Sequence, residues 1–432
     1  MTHPSPPSGR LAIRGGRLID PAAGIDRVAD LFLADGRIAG IGQPPAGFEA
    51  AHTIDAAGQW VLPGLVDLAA RLREPGFEYR ATLESEMHAA LAGGVTSLAC
   101  PPDTDPPLDE PGLVEMLKHR ARALDAARLF PIGALTVGLK GDTITEMAEL
   151  AEAGCVGFSQ AHAAIVDTQV LQRALQYART FGFTVWLHPQ DPHLSRGGVA
   201  HAGPIAGRLG LPGVPVTAET VALHTIVELV RASGCRVHLC RLSSAAGVAL
   251  LRAARAEGLP LTADVSVHHL HMTDMDIGYF DPACRVDPPF RTQRDRDALR
   301  AALADGTIDA VCSDHTPVDD DAKQLPFGEA EPGATALELL LPLTLKWATE
   351  GGMAPLDAIA RVTSRPAAVL GQPAGTLAVG AAADVALYDP DEAWTVTSES
   401  LASQGKNTPY AGRELVGRVR ATLVGGRIAF DR

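Results

Sequence analysis

The stretch VLPGLVDLAARLREPG, Val61 to Gly76, runs from an apolar segment into a polar loop that ends in Pro-Gly. A short apolar run bounded by turn residues reads as a buried strand whose carboxyl end opens into a loop. Similar runs recur at VTSLAC, RLFPIGAL, CVGFS, FTVWLH, CRVHLCRL, LTADVSV and DAVCSD. Helical patterns lie between them, at Leu83–Ala92, Leu113–Asp125, Val170–Phe181, Ala218–Ala232 and Arg294–Ala304. Continuously buried parallel strands need helices on their outer face, so eight strands each followed by a helix predict a (β/α)8 TIM-like barrel over residues 61–371.

The two ends of the chain read differently. LFLADGRIAGIG is two apolar runs joined by Asp35-Gly36, a pair suited to a hairpin turn that needs positive φ. Near the C-terminus, ADVALYDP is followed by GRVRATLVGGRIAFDR with its Gly425-Gly426 turn. Residues 11–60 and 372–432 are therefore expected to form one small β-sandwich, and residues 1–10, MTHPSPPSGR, a disordered tail.

Of 432 residues, 46% are apolar, ample for a large core, and the charge balance is −14. An acidic chain with no basic run argues against nucleic acid and membrane surfaces, both of which need a cationic footprint. There is no apolar stretch long enough to span a bilayer and no signal-peptide pattern, so a cytoplasmic location is expected. The six cysteines are scattered without metal-knuckle spacing and are expected to be small buried hydrophobes.

In such barrels chemistry sits at the carboxyl ends of the strands. The polar residues there are Asp67, Arg71, Arg73, Asp103, Gln160, His188, Arg241, His268, His269, Asp314 and His315. His268 and His269 have a plain alternative, closing a strand with backbone hydrogen bonds. His188, beside the long loop Pro189–Pro215, and Asp314, ending an apolar strand, are the stronger candidates, since an unpaired carboxylate there is costly to bury.

The pieces LPGLVDLAARLREPG, GGVTSLACPPDTDPP, LRAARAEGLPLTADVSVHHLHMTD, RVDPPFR, GTIDAVCSDHTP and GKNTPYAGRELVGRVRATLVGGRIAF run in the order of the dihydroorotase family of amidohydrolases. The chain resembles that family from end to end. The resemblance implies a zinc-dependent (β/α)8 barrel with a terminal β-sandwich, interconverting carbamoyl aspartate and dihydroorotate. Its metal ligands, however, are largely replaced. The histidine pair expected after the first strand is Ala69 and Arg71, the bridging acid is Gln160, and the sixth-strand histidine is Arg241. A methyl group has no lone pair, and a guanidinium stays protonated and repels a cation. His238 precedes Arg241 by three residues, an odd separation that on a strand turns it to the opposite face, and it is taken as structural.

Only His188 and the general-base position, Asp314, remain, too few for a catalytic zinc, so no cofactor is expected. Arg73 matches the arginine that holds the substrate carboxylate, while two asparagines of the family are here Asp103 and Asp287, which add repulsion toward a dianion. Arg71 and Arg241 are expected to pair with Asp314 by charge-assisted hydrogen bonds and close the mouth without metal. DLAARLREPG further resembles the non-catalytic dihydroorotase-like chain that partners aspartate carbamoyltransferase in some bacteria, implying an assembly role. Two other readings stand beside it. One is an active cyclic-amide hydrolase holding zinc, either a dihydroorotase or a relative such as an allantoinase or hydantoinase. The other is a pocket reused to bind a regulatory metabolite.

Overall fold

The computed structural model describes residues 9–432. The expected disordered tail falls mostly outside that range. Arg10, its last residue, is tied down: its carbonyl accepts from the Ala51 amide at 2.7 Å and its guanidinium donates to Gly47 O at 2.6 Å.

Eight parallel strands, β1 (Leu65–Asp67), β2 (Val95–Cys100), β3 (Arg128–Ala134), β4 (Gly157–Ser159), β5 (Thr184–Leu187), β6 (Arg236–Leu239), β7 (Leu261–Ser266) and β8 (Ala310–Cys312), pair in chain order. Each is followed by a helix: Leu83–Ala92, Pro111–Ala123, Met147–Ala153, Thr168–Phe181, Val216–Ser233, Ala245–Ala256, Gln293–Ala304 and Leu340–Glu350. The ring closes between β8 and β1 just beyond the strands. His315 N donates to Ala69 O at 3.0 Å, and Arg71 N donates to His315 O at 2.9 Å. The buried Asp67 carboxylate adds to this by accepting from Ser313 N (2.7 Å) and Ser313 Oγ (2.5 Å). This is the (β/α)8 barrel read from the sequence.

Local chemistry sets the helix ends. Thr82 and Ser85 form a reciprocal capping box that starts Leu83–Ala92 where the pattern placed it. The second helix begins two residues earlier than expected because Pro111 sits in its first turn, where a missing amide costs nothing. It ends before Asp125, whose φ of 51° is left-handed.

The termini build two packed sheets. One holds four strands, Leu11–Arg14, Leu31–Ala34, Arg37–Ile41 and His52–Asp55. The other holds six, Arg17–Asp20, Ile25–Val28, Trp60–Pro63, Val385–Thr395, Glu414–Val424 and Arg427–Asp431. Their shared core includes Ile13, Leu31, Val61, Val385 and Leu423, drawn from both ends of the chain. Both hairpin turns take the expected form: Asp35 and Gly36 have φ of 52° and 73°, Gly425 and Gly426 of 55° and 76°. A β-carbon on Gly36 meets Gly425 O at 3.2 Å as well as the left-handed backbone. Gly36→Ala is therefore expected to cost about 1–2 kcal/mol in urea unfolding.

All six cysteines are free and buried. Among the described residues no helix is long and apolar enough to cross a membrane.

Candidate functional site

Of the candidate residues, Arg71, Arg73, Asp103, Asp287 and Asp314 line one cavity of about 220 Å³ together with His162, while Gln160 and His188 line a neighbouring one. Below the first, the barrel interior holds an apolar cluster that includes Val66, Ala69, Ile132, Trp186, Cys240 and Cys312. Ala69 is part of that apolar floor and offers no ligand atom.

Arg71 is buried, and its Nε donates to Asp103 Oδ2 at 2.7 Å while Nη1 donates to Thr316 Oγ1 at 3.1 Å. Arg71 Nη1 stands 3.8 Å from Asp314 Oδ1, and Arg241 Nη1 stands 3.6 Å from the same oxygen. The three residues meet as expected. The charge-assisted hydrogen bonds do not form: both separations exceed hydrogen-bond range, and Asp314 Oδ1, Arg71 Nη2 and Arg241 Nε are buried without hydrogen-bond partners. The close bond that Arg71 makes is to Asp103 instead.

Burial raises the Asp314 carboxyl to about 6, against the lowering pull of Arg241 and Arg71. At Asp103 the balance is reversed: burial pushes the pKa up, but Arg71, His162 and Arg73 together outweigh it and hold the carboxyl at about 2. Arg73 lines the cavity, but its Nε donates to Pro317 O at 2.7 Å. Burial and the neighbouring Arg71 lower its pKa to about 10.

The Gln160 amide is held by Thr136 Oγ1 at 2.8 Å. His188 ends β5 with Nδ1 3.2 Å from Cys240 O, and its Nε2 is buried without a partner. Burial first, then the Arg241 charge, pushes its pKa down to about 3, so the ring is neutral. Asp287 Oδ2 lies 3.4 Å from His162 Nδ1, and Asp287 Oδ1 accepts from Gln190 Nε2 at 3.2 Å. Although burial opposes the charge, these partners keep the Asp287 carboxyl well below the usual carboxylate range. His162 was missed in the sequence reading. It stands in a loop after β4 with no periodic pattern, and its approach to His188, at 5.1 Å between ring centroids, and to Asp287 reveals it.

His238 corrects the reasoning from strand parity. Its ring packs at 4.5 Å from Trp186, inside the barrel, and bonds Asp264 Oδ2 at 2.9 Å and Thr262 Oγ1 at 2.8 Å. Arg241 reaches the same interior because β6 ends at Leu239 and Arg241 has a φ of 56°, so alternation no longer applies. His238 is structural, through its bonds and not through its face.

His268 and His269 are buried beyond β7 and do not line the cavity. At His268 the backbone carbonyl accepts from His271 N at 3.1 Å and Met272 N at 2.9 Å, while the ring nitrogens have no hydrogen-bond partner and the ring stacks on Tyr410 at 5.7 Å. His269 Nε2 lies 3.4 Å from Pro289 O. His315 faces away from the cavity, with its Nε2 on Glu86 Oε2 at 2.5 Å.

Comparison with known proteins agrees with this architecture. The chain matches the dihydro-orotase-like family over residues 58–246 and the amidohydrolase family over residues 213–430. It is 48% identical over 418 residues to a dihydroorotase-like protein of Pseudomonas putida, covering 97% of this chain and 98% of that one. The chain belongs to the dihydroorotase-like family of amidohydrolases.

A second dihydroorotase-like protein, from Pseudomonas aeruginosa, is 46% identical, covering 98% of this chain and 99% of that one. A dihydroorotase of Anaeromyxobacter dehalogenans is 41% identical over 98% of both. Among solved structures, L-hydantoinase (dihydropyrimidinase) from Arthrobacter aurescens superimposes with a TM-score of 0.88 at 25% identity, covering 98% of this chain and 96% of that one. The zinc pair implied by the dihydroorotase-like resemblance does not fit the side chains present. Ala69 is a methyl in the apolar floor, Gln160 is spent on Thr136, and two buried guanidiniums occupy the remaining positions.

Proposed function

We propose that this chain is a dihydroorotase-like protein of pyrimidine biosynthesis without dihydroorotase activity, acting as an assembly subunit for aspartate carbamoyltransferase. The observation that carries the reading is the pair Arg71 and Arg241, both within 3.8 Å of Asp314 Oδ1, where the resemblance calls for metal ligands. Opening or closing a cyclic amide needs a polarised carbonyl and an activated water or amine, which a metal supplies to both partners. Two guanidiniums are able to stabilise an oxyanion but cannot take a proton. Asp103 and Asp287 further set two carboxylates against an anionic substrate. The cytoplasm is the compartment this role requires.

The partner is supported by the DLAARLREPG resemblance. A second reading, a metabolite-binding regulatory pocket, is favoured by the unpartnered Arg71 Nη2, Arg241 Nε and Asp314 Oδ1. An active cyclic-amide hydrolase is favoured by the likeness to a dihydroorotase and to L-hydantoinase.

A tagged chain drawn from its own cell lysate is expected to bring down aspartate carbamoyltransferase in stoichiometric amount, identified by mass spectrometry. The purified chain is expected not to interconvert carbamoyl aspartate and dihydroorotate, with or without added zinc. A chain recovered alone overturns the partner; measurable turnover overturns the inactivity.

A further inference from the structure

His162, His188 and Asp287 each offer a ligand atom, and these atoms lie within 4.8 Å of one another. His188 is oriented as a ligand. Its Nδ1 faces the Cys240 carbonyl at 3.2 Å, which places the ring proton on Nδ1 and leaves a buried Nε2 lone pair with no partner. Metal-bound histidines characteristically donate their second nitrogen in this way, to a carbonyl or carboxylate that fixes the tautomer. Asp287 has a comparable support, since Gln190 Nε2 holds Oδ1 at 3.2 Å while Oδ2 faces His162.

Nearby cations do not forbid a further positive charge. Arg71 is bonded to Asp103 at 2.7 Å, and Arg241 faces Asp314 at 3.6 Å. With Arg73, Asp287 and Glu331 included, the mouth carries three guanidiniums and four carboxyl groups. His162 is exposed, so the cluster opens toward solvent and leaves room for water in the coordination sphere.

A second triad, His238, Cys240 and Asp264, lies equally close together but offers less. Both nitrogens of His238 are committed to Thr262 and Asp264, and burial holds the Cys240 thiol protonated.

We propose that His162, His188 and Asp287 form a mononuclear site for a divalent cation of the zinc, cobalt or nickel type, displaced from the two-metal position of the family. Two imidazole nitrogens and one carboxylate oxygen suit these borderline ions, whereas calcium and magnesium call for all-oxygen ligands. Only His188 is shared with the family's ligand positions; the other two ligands come from the loops after β4 and β7. The site is independent of whether the chain assembles with a partner.

The test uses the tag-free full chain, stripped of metal by dialysis against a chelator and titrated with zinc by calorimetry. Cobalt binding followed by visible absorption serves as the second readout. One equivalent of each ion is expected to bind. His162→Ala and Asp287→Asn are each expected to weaken binding by about tenfold or more. Because His162 is exposed, His162→Ala should keep the parent's circular dichroism and urea midpoint, which separates lost ligation from lost folding. Absence of stoichiometric uptake, or uptake that His162→Ala leaves unchanged, overturns the site.

Discussion

Glu86→Ala is expected to destabilise the chain by roughly 3–5 kcal/mol, the range for breaking a buried ionic network by removing one partner. Glu86 is fully buried in the first barrel helix. Its Oε2 accepts from His315 Nε2 at 2.5 Å and Ser403 Oγ at 2.7 Å, and its Oε1 accepts from Gln404 N at 3.0 Å and Ser85 Oγ at 2.8 Å. Removing the carboxylate strands donors from three separate segments, the helix, the end of β8 and the C-terminal segment that leads back into the sandwich. Burial raises the Glu86 pKa, but the bonds to His315 and the serines outweigh it and leave the group below its ordinary value of 4.5. Its stabilisation is then complete above about pH 4.5 and lost as pH falls through the lower folded value. Urea unfolding at pH 7.5 and at progressively lower pH measures both effects. Glu86→Ala with an unchanged midpoint removes the network from the account.

Asp314→Ala is expected to cost roughly 3–5 kcal/mol, while Arg241→Met at the same contact costs less than about 2 kcal/mol. The asymmetry follows from proton chemistry. Without Asp314, Arg241 is a buried guanidinium that has lost its carboxylate, and it cannot discharge. Without Arg241, Asp314 is already raised to about 6 and can take up a proton. The double variant isolates the coupling, expected to be roughly 0.5–3 kcal/mol for groups in contact. Urea midpoints for the two singles and the double decide it. Equal costs for the two single changes contradict an electrostatic reading of the mouth.

How much of this was legible beforehand can be judged from particular residues. Leu83–Ala92 was placed to the residue because its boundary is written locally, in the Thr82–Ser85 box. The left-handed Asp35-Gly36 turn was equally local. Arg71, Arg241 and Asp314 were brought together correctly because strand ends in a parallel barrel face one mouth. That Arg71 bonds Asp103, and that Asp314 keeps an unpartnered oxygen, depended on distances no spacing rule supplies. The orientation of His238 failed for a physical reason. Alternation holds only while the backbone is extended, and the positive φ at Arg241 lies outside the strand.

By itself the sequence determined the barrel and the two-ended sandwich, and it places Ala69, Arg71 and Arg241 where the family resemblance implies histidines, with His188 kept. Each of these is set by residue type and near-neighbour order. Tertiary structure alone decided the partners of the buried charges and the meeting of His162 with His188 and Asp287. Those contacts join loops far apart in the chain, whose approach is fixed by how the whole barrel closes and not by any local preference.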